Sequence, residues 1–397
     1  MRKWLRALHR WLGLVVLGFL ILAGATGSLL AFEHELDQRL NPGLLLASWH
    51  GPALQADVLI SRIEAQDPRL RVSLLPLDTQ PGHAAEVQVL GSRNAPSLGF
   101  DRLFVNPSTG EILGHRTWGA WRLDAAHMMP WVNRFHRSLT LPGRWGHWLM
   151  GSVALLWLLL SVVGGVLSLP LHRPAKTDMP KNKAASFWQR WKPSWLIKPG
   201  AKGFRLAFDT HRAVGLWTLP LFVLLAFSGA SLNLSSEVFK PVLAWFGNVS
   251  PHPVISLPVR SSERSADTLM NASTALEKAR DLLPRQTLDF EPWYISYLPR
   301  LGVYRVAFKE PGFRAQMLRV RYEQVFMDAH SGQAAALFGY DSGTGADKFL
   351  VWQYPLHSGK VLGLGGRIAV ALGGLLLVLI AVAGLMQWSL RRRAVRR

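Results

Sequence analysis

Four of the thirteen histidines stand in matched places along the chain. His9 and His211 are each followed by an arginine, with Gly13 and Gly215 four residues further on. His136 and His357 each come shortly before a glycine-containing entry to an apolar stretch. There is no cysteine, which removes disulfides, thiolate chemistry, Cys-ligated iron–sulfur clusters and c-type haem. Imidazole is then the common axial ligand for haem iron. A lone histidine at a helix end is ordinarily structural, so it is the occurrence of two equivalent pairs that argues for ligation. Gly13 and Gly215 lie one helical turn from His9 and His211 on the same face, where a missing side chain leaves space for a flat macrocycle. Glycines also let membrane helices approach closely, and Gly18, Gly24, Gly27, Gly151, Gly164, Gly165, Gly373, Gly374 and Gly384 suit both readings.

The other chemistry-bearing residues carry weaker signals. His147 and His172 bracket one apolar stretch and His34 ends another, without histidine counterparts. His127, beside Met128 and Met129, and His330 are expected outside the membrane as structural residues or substrate contacts. Arg10, Arg137, Arg144 and Arg212 are suited to pairing with haem propionates, although charge topology accounts for Arg10 and Arg212 equally well. No Walker loop, dinucleotide-binding glycine fingerprint or His-Glu-x-x-His occurs, so electrons would have to come from another molecule.

The elements that position these residues are set by hydropathy. Residues 12–32, 148–169, 213–234 and 368–388 are apolar and contain no Asp, Glu, Lys or Arg. Each meets the roughly 20 helical residues needed to cross a bilayer core, so an α-helical membrane protein with four transmembrane helices is expected. The first stretch is expected to be retained rather than cleaved, because its pattern recurs at 211–237. The net charge of +20 is concentrated at the N-terminus, in the 171–211 loop and in the tail from residue 389. That asymmetry places these segments in the cytoplasm and explains the charge without a nucleic-acid partner. Trp188, Trp191 and Trp195 mark the basic loop as a membrane-surface segment.

The chain also repeats itself. His9-Arg10-Trp11-Leu12-Gly13-Leu14 matches His211-Arg212-Ala213-Val214-Gly215-Leu216 at an offset of 202, and Gly27 and Glu35 fall on Gly229 and Glu237. Gly18 falls on Pro220, so both helices are expected to bend at one depth. Both halves begin and end on the same side, which makes them parallel repeats related by an axis along the membrane normal. Equivalent histidines facing that axis face each other, although a haem bridging helices within one half also fits. Residues 33–146 and 235–366 are expected to form two α+β extracytoplasmic modules. Helical spacing occurs at 55–67 and 272–283, and strand-like alternation at 86–90, 304–308 and 318–327. Residues 106–110 and 328–332 have the chemistry of tight turns.

These motifs resemble those of the PepSY-associated transmembrane-helix family of bacterial inner-membrane proteins, often linked to iron uptake. The resemblance rests on the two His-Arg-x-x-Gly-Leu segments, on Val105-Asn106-Pro107-Ser108-Thr109-Gly110-Glu111 with its counterpart at 327–333, and on Leu356-His357-Ser358-Gly359-Lys360 with 363–367. It covers nearly the whole chain. Within the family the chain is similar to the inner-membrane dihaem siderophore reductases of the ferrioxamine type. That likeness implies b-type haem in the membrane and reduction of ferric iron held by a siderophore, with an unidentified electron donor, and the repeat reading expects two haems, one on His9 and His211 and one on His136 and His357. The second turn departs from the first, with Ala329-His330-Ser331 in place of Pro107-Ser108-Thr109. A different reading makes the outer modules a PepSY-type binding or regulatory unit anchored by the spans, without redox activity. A siderophore transporter fits less well, since no span carries a charge.

Overall fold

The computed structural model describes residues 1–49, 51–92, 96–170, 185–259, 269–311 and 321–395. His172, Arg173, Pro174, Pro180, Arg396 and Arg397 lie outside the described residues, as does the start of the expected strand at 318–327. In chain order the main helices and strands are α1 (Arg2–Leu30), α2 (Glu33–Leu40), α3 (Ala56–Gln66), β1 (Leu70–Pro76), β2 (Ala85–Gly91), β3 (Arg102–Val105), β4 (Ile112–Arg116), α4 (Ala125–Ser138), α5 (Trp145–Ser168), α6 (Gly203–Trp217) and α7 (Leu219–Asn233). They continue with α8 (Ala272–Asp281), β5 (Glu291–Leu298), β6 (Val303–Lys309), β7 (Tyr322–Asp328), β8 (Ala334–Gly339), α9 (Gly345–His357) and α10 (Gly363–Val395). The chain divides into a helical unit (1–32, 134–239 and 356–397) and a sheet unit (33–133 and 240–355).

In the helical unit, α1, α5 and α10 are each long and apolar enough to cross a membrane. The fourth stretch is a pair, α6 and α7, bent by 70° at Thr218. Pro220 is the second residue of α7, where its missing N–H costs no hydrogen bond. The break therefore falls just ahead of the proline. The matched bend expected at Gly18 does not occur as a break, since α1 runs through that residue uninterrupted. Nothing in the sequence around Gly18 removes a backbone donor, whereas Pro220 does. The unit's core draws Val16 and Leu20 from α1, Val153 and Leu160 from α5, Phe222 from α7 and Leu377 and Ile380 from α10. Glycine brings α1 and α10 together, because a Cβ on Gly24 would stand 2.6 Å from the Gly374 carbonyl oxygen. In the described part of the basic loop, Ser186 caps a short helix and Trp188, Trp191, Trp195 and Trp217 form a chain of edge-to-face and tilted contacts.

The sheet unit contains one eight-stranded antiparallel sheet, ordered β4-β3-β2-β1-β5-β6-β7-β8. The two outer segments thus share a sheet rather than forming separate ones. β1 and β5 join them, with Leu74 opposite Ser296, Leu75 opposite Ile295 and Pro76 opposite Tyr294. Apolar residues alternate onto the face that α3 and α8 cover, where Leu59, Ile63, Ala275 and Ala279 pack on Val87, Val105, Val306 and Val325. The expected helices and tight turns fall on α3, α8 and the β3–β4 and β7–β8 connections. Asn106 Oδ1 accepts from the Ser108 backbone N–H and hydroxyl, and Asp328 Oδ1 accepts from those of Ser331. Gly110 (φ 79°) and Gly332 (φ 77°) close both turns in the left-handed region. The sequence departure between the two turns leaves their geometry alike, because Asn and Asp supply the same acceptor oxygen.

Candidate functional site

The four matched histidines lie in the helical unit and meet in pairs. His9, on α1, and His211, on α6, place their ring centroids 6.0 Å apart with the planes at 86°. His136, two residues from the end of α4, and His357, the last residue of α9, place theirs 6.3 Å apart at 51°. The structure brings together residues from the two halves of the chain, and it does so twice.

Each ring rests on a glycine of another helix. A Cβ added to Gly164 of α5 would stand 3.2 Å from His9 Cε1, and one on Gly384 of α10 would stand 3.3 Å from His211 Cε1. At the other pair, Gly27 of α1 meets His136 Cε1 at 3.2 Å and Gly229 of α7 meets His357 Cε1 at 3.1 Å. Real side chains rarely pack this tightly, so any larger residue would require the ring to shift by a few tenths of an ångström. The glycines that sequence could not separate now fall into three groups. Gly27, Gly164, Gly229 and Gly384 back the imidazoles, Gly24, Gly151, Gly165, Gly373 and Gly374 serve close packing, and Gly13, Gly18 and Gly215 face open space. The open space at Gly13 and Gly215 lies one turn from His9 and His211.

Local backbone chemistry fixes where His136 and His357 end up. After His136 the helix stops at Leu139 and Thr140, which hold φ of 50° and 58°. After His357 the stop is Gly359, at φ 71°. In each case a glycine of the following helix then sits on the preceding turn. Gly146 lies on the Ser138 carbonyl and Gly366 on the Gly359 carbonyl, where no Cβ would fit. The second ring nitrogens are held by α1, α7 and α10. Thr26 Oγ1 lies 2.8 Å from His136 Nδ1, and Ser228 Oγ lies 3.0 Å from His357 Nδ1. His211 Nδ1 donates to the Ile380 carbonyl at 2.9 Å. His9 Nδ1 is buried and makes no hydrogen bond of ordinary geometry, with the Leu160 carbonyl as the acceptor at hand.

Family-model comparison matches residues 6–391 to the PepSY-associated TM region. The chain belongs to that family. Comparison with curated proteins finds no match. Membership in the PepSY-associated family accords with the apolar helices and the separate α+β sheet unit, and marks the chain as a multi-pass membrane protein.

Each pair has a spacing at which its two imidazoles could hold one iron macrocycle. Two imidazoles sharing one metal ion, with metal–nitrogen bonds of about 2.0 Å and roughly 1.1 Å from nitrogen to ring centre, would have their centroids about 6.2 Å apart. The two observed separations match that figure. Among the described residues no three His, Cys, Asp or Glu side chains gather as a metal site.

The remaining sequence candidates do not join either pair. His127 has both ring nitrogens engaged, Nδ1 with Asp124 at 2.7 Å and Nε2 accepting from the Thr117 N–H, and it is buried. His147 Nδ1 pairs with Asn233 Oδ1 at 2.8 Å, and His34 stacks on His83. The backbone N–H of His330 belongs to the Asp328 turn. Arg144 is paired with Glu237 and Arg212 with Asp209, while Arg10 and Arg137 are exposed. Sequence reasoning passed over Thr26 and Ser228. Their signal was present, for Thr26-Gly27 and Ser228-Gly229 share the 202-residue offset of the histidine motif.

Proposed function

We propose that this chain is an inner-membrane, haem-dependent ferric-siderophore reductase built from two parallel repeats with four spans. Both termini are cytoplasmic in this reading, on the strength of the positive-inside charge pattern. The observation that carries it is the spacing of the two imidazole pairs, each suited to sharing one iron and each packed closely against glycines of neighbouring helices.

A haem at each pair would be held by His9 with His211 and by His136 with His357, and would supply one-electron transfer. The protein's own residues do the rest. The glycine contacts hold each ring against a neighbouring helix, so its orientation is set by packing. Thr26, Ser228 and the Ile380 carbonyl hold three of the four second ring nitrogens. The apolar core of Val16, Leu20, Val153, Phe222 and Leu377 excludes water between the pairs and gives a low-dielectric path across the bilayer. A cytoplasmic donor would deliver electrons at the His9–His211 side. The siderophore would meet them at the extracytoplasmic side, where Fe(III) gains one electron and becomes Fe(II). Oxygen-rich siderophore ligands hold the harder ferric ion more tightly, so reduction loosens the complex and frees iron.

The test is direct. Chemically reduced protein in detergent is mixed anaerobically with a ferric trihydroxamate in the presence of an Fe(II) chelator. The proposal expects formation of the Fe(II)–chelator complex matched to protein reoxidation. A colourless protein that forms none would leave the anchored PepSY-type binding module as the better reading.

A further inference from the structure

The two hydroxyl contacts to the histidines have a direction that can be worked out. Thr26 Oγ1 lies 2.6 Å from the Leu22 carbonyl oxygen, one helical turn back, and 2.8 Å from His136 Nδ1. Ser228 Oγ lies 2.6 Å from the Leu224 carbonyl oxygen and 3.0 Å from His357 Nδ1. A hydroxyl has one proton and a carbonyl can only accept. Two oxygens at 2.6 Å require that proton between them. The hydroxyl therefore has only lone pairs left for the histidine, and the imidazole must donate from Nδ1. The lone pair of the ring is then on Nε2. At His211 the same result follows from the Ile380 carbonyl, which is an acceptor without choice.

We propose that Thr26 and Ser228 are positioning residues that fix His136 and His357 in the Nδ1-protonated tautomer and so present both Nε2 lone pairs for ligation. The inference rests on the haem reading for its purpose, though not for its geometry. Neutral imidazole carries one proton on either nitrogen, and the hydrogen bond made by one nitrogen decides which of them is free to bind iron. Helices α1 and α7 each supply a hydroxyl directly before the glycine that receives the ring, in Thr26-Gly27 and Ser228-Gly229. One dipeptide thus provides the gap and the acceptor together. At the other pair His211 Nδ1 donates to a backbone carbonyl and His9 Nδ1 makes no hydrogen bond of ordinary geometry, so it is at His136 and His357 that a side-chain substitution can remove the contact.

The experiment uses the full chain, labelled with ¹⁵N-histidine, as haem-free protein in detergent, and compares wild type with Thr26→Val, Ser228→Ala, Thr26→Ser and Ser228→Thr. Imidazole nitrogen spectra should report Nδ1–H at His136 and His357 in the wild type and in the two conservative variants. Thr26→Val should lose that preference at His136, and Ser228→Ala should weaken it at His357, where the Leu225 carbonyl is a second acceptor at hand. Haem titration of the same proteins should show affinity at one site falling by about 10- to 100-fold in Thr26→Val and Ser228→Ala, as loss of an outer hydrogen-bond partner typically does, with the conservative variants restored. An Nε2–H tautomer in the wild type, or an unchanged tautomer and unchanged affinity in both disruptive variants, would overturn the inference. Should the chain take up no haem at all, the functional reading fails by itself, while the nitrogen spectra still decide the tautomer question.

Discussion

His136 and His357 lie 221 residues apart in sequence, yet their rings stand 6.3 Å apart, each with Cε1 against a glycine of another helix. Neither contact is made within the helix that carries the histidine. The pair is held by α1 through Gly27 and by α7 through Gly229, so its geometry depends on how four helical segments pack.

Enlarging those glycines should therefore displace the rings in proportion to size. Alanine at Gly27 or Gly229 asks the imidazole to yield by a few tenths of an ångström from contacts of 3.2 and 3.1 Å. Valine asks for more, and is also disfavoured in a helix by crowding of its branched Cβ. Haem bound per chain should fall slightly in Gly27→Ala and fall by about half in Gly27→Val, where one of two sites is lost. Equal loading in all three proteins would show that the ring contact is immaterial.

Gly13 and Gly215 give a complementary test, because nothing in the protein fills the space beside them. Phenylalanine at either position meets no protein atom at Cβ and should leave the far-UV circular dichroism and thermal unfolding of the haem-free protein unchanged. It should nonetheless reduce haem loading at the His9–His211 pair, since the ring would enter the space next to the ligands. Undiminished loading would mean that the open space lies away from the macrocycle.

The junction of the sheet supplies a stability prediction. Leu75 is fully buried and lies opposite Ile295 where β1 meets β5. Leu75→Ala should destabilise the sheet unit by about 2–5 kcal/mol through lost burial and an unfilled cavity. Limited proteolysis should then cut within 33–133 and 240–355 together, because one sheet spans both segments. Cleavage confined to one segment would contradict a shared sheet.

How much of this was legible beforehand depended on the range of the interaction. The apolar stretches and the two turns are local or periodic signals, so three stretches fall in single long helices and the turns where their chemistry puts them, while the stretch at 213–234 is broken at Thr218. The pairing of β1 with β5 is not local, since both are ordinary edge-forming strands until they meet across some 220 residues. The role of each glycine was hidden for the same reason. Gly164 and Gly384 look like any small residues of a membrane helix, and only the opposed helix shows that they back His9 and His211. Pro220 did signal a bend, but proline is tolerated in the first turn of a helix, so the break appears at Thr218 and Gly18 has no equivalent.

Asp347 gives a pH dependence with a definite sign. Burial pushes its carboxyl up, but hydrogen bonds from the Ser250 hydroxyl and N–H and from Thr344 outweigh this and hold it below the usual carboxylate range. A group with a depressed folded pKa contributes stability above its unfolded value, about 3.9, and that contribution is lost as pH falls through the folded value. Thermal unfolding of the wild type should thus weaken on acidification below about pH 4, and Asp347→Asn should lose part of that dependence while being less stable at neutral pH. Identical pH profiles for the two proteins would remove Asp347 from the account.

The central claim is that matched imidazoles from the two halves each grip one haem iron. The most direct measurement is a haemochrome determination with the visible spectrum, on the wild type, on His9→Ala, His211→Ala, His136→Ala and His357→Ala, and on the fourfold variant. The account predicts two b-type haems per wild-type chain, about one in each single variant because the other pair survives, and none in the fourfold variant. A wild type that binds no haem under adequate supply, or a fourfold variant that keeps its full complement, would contradict it.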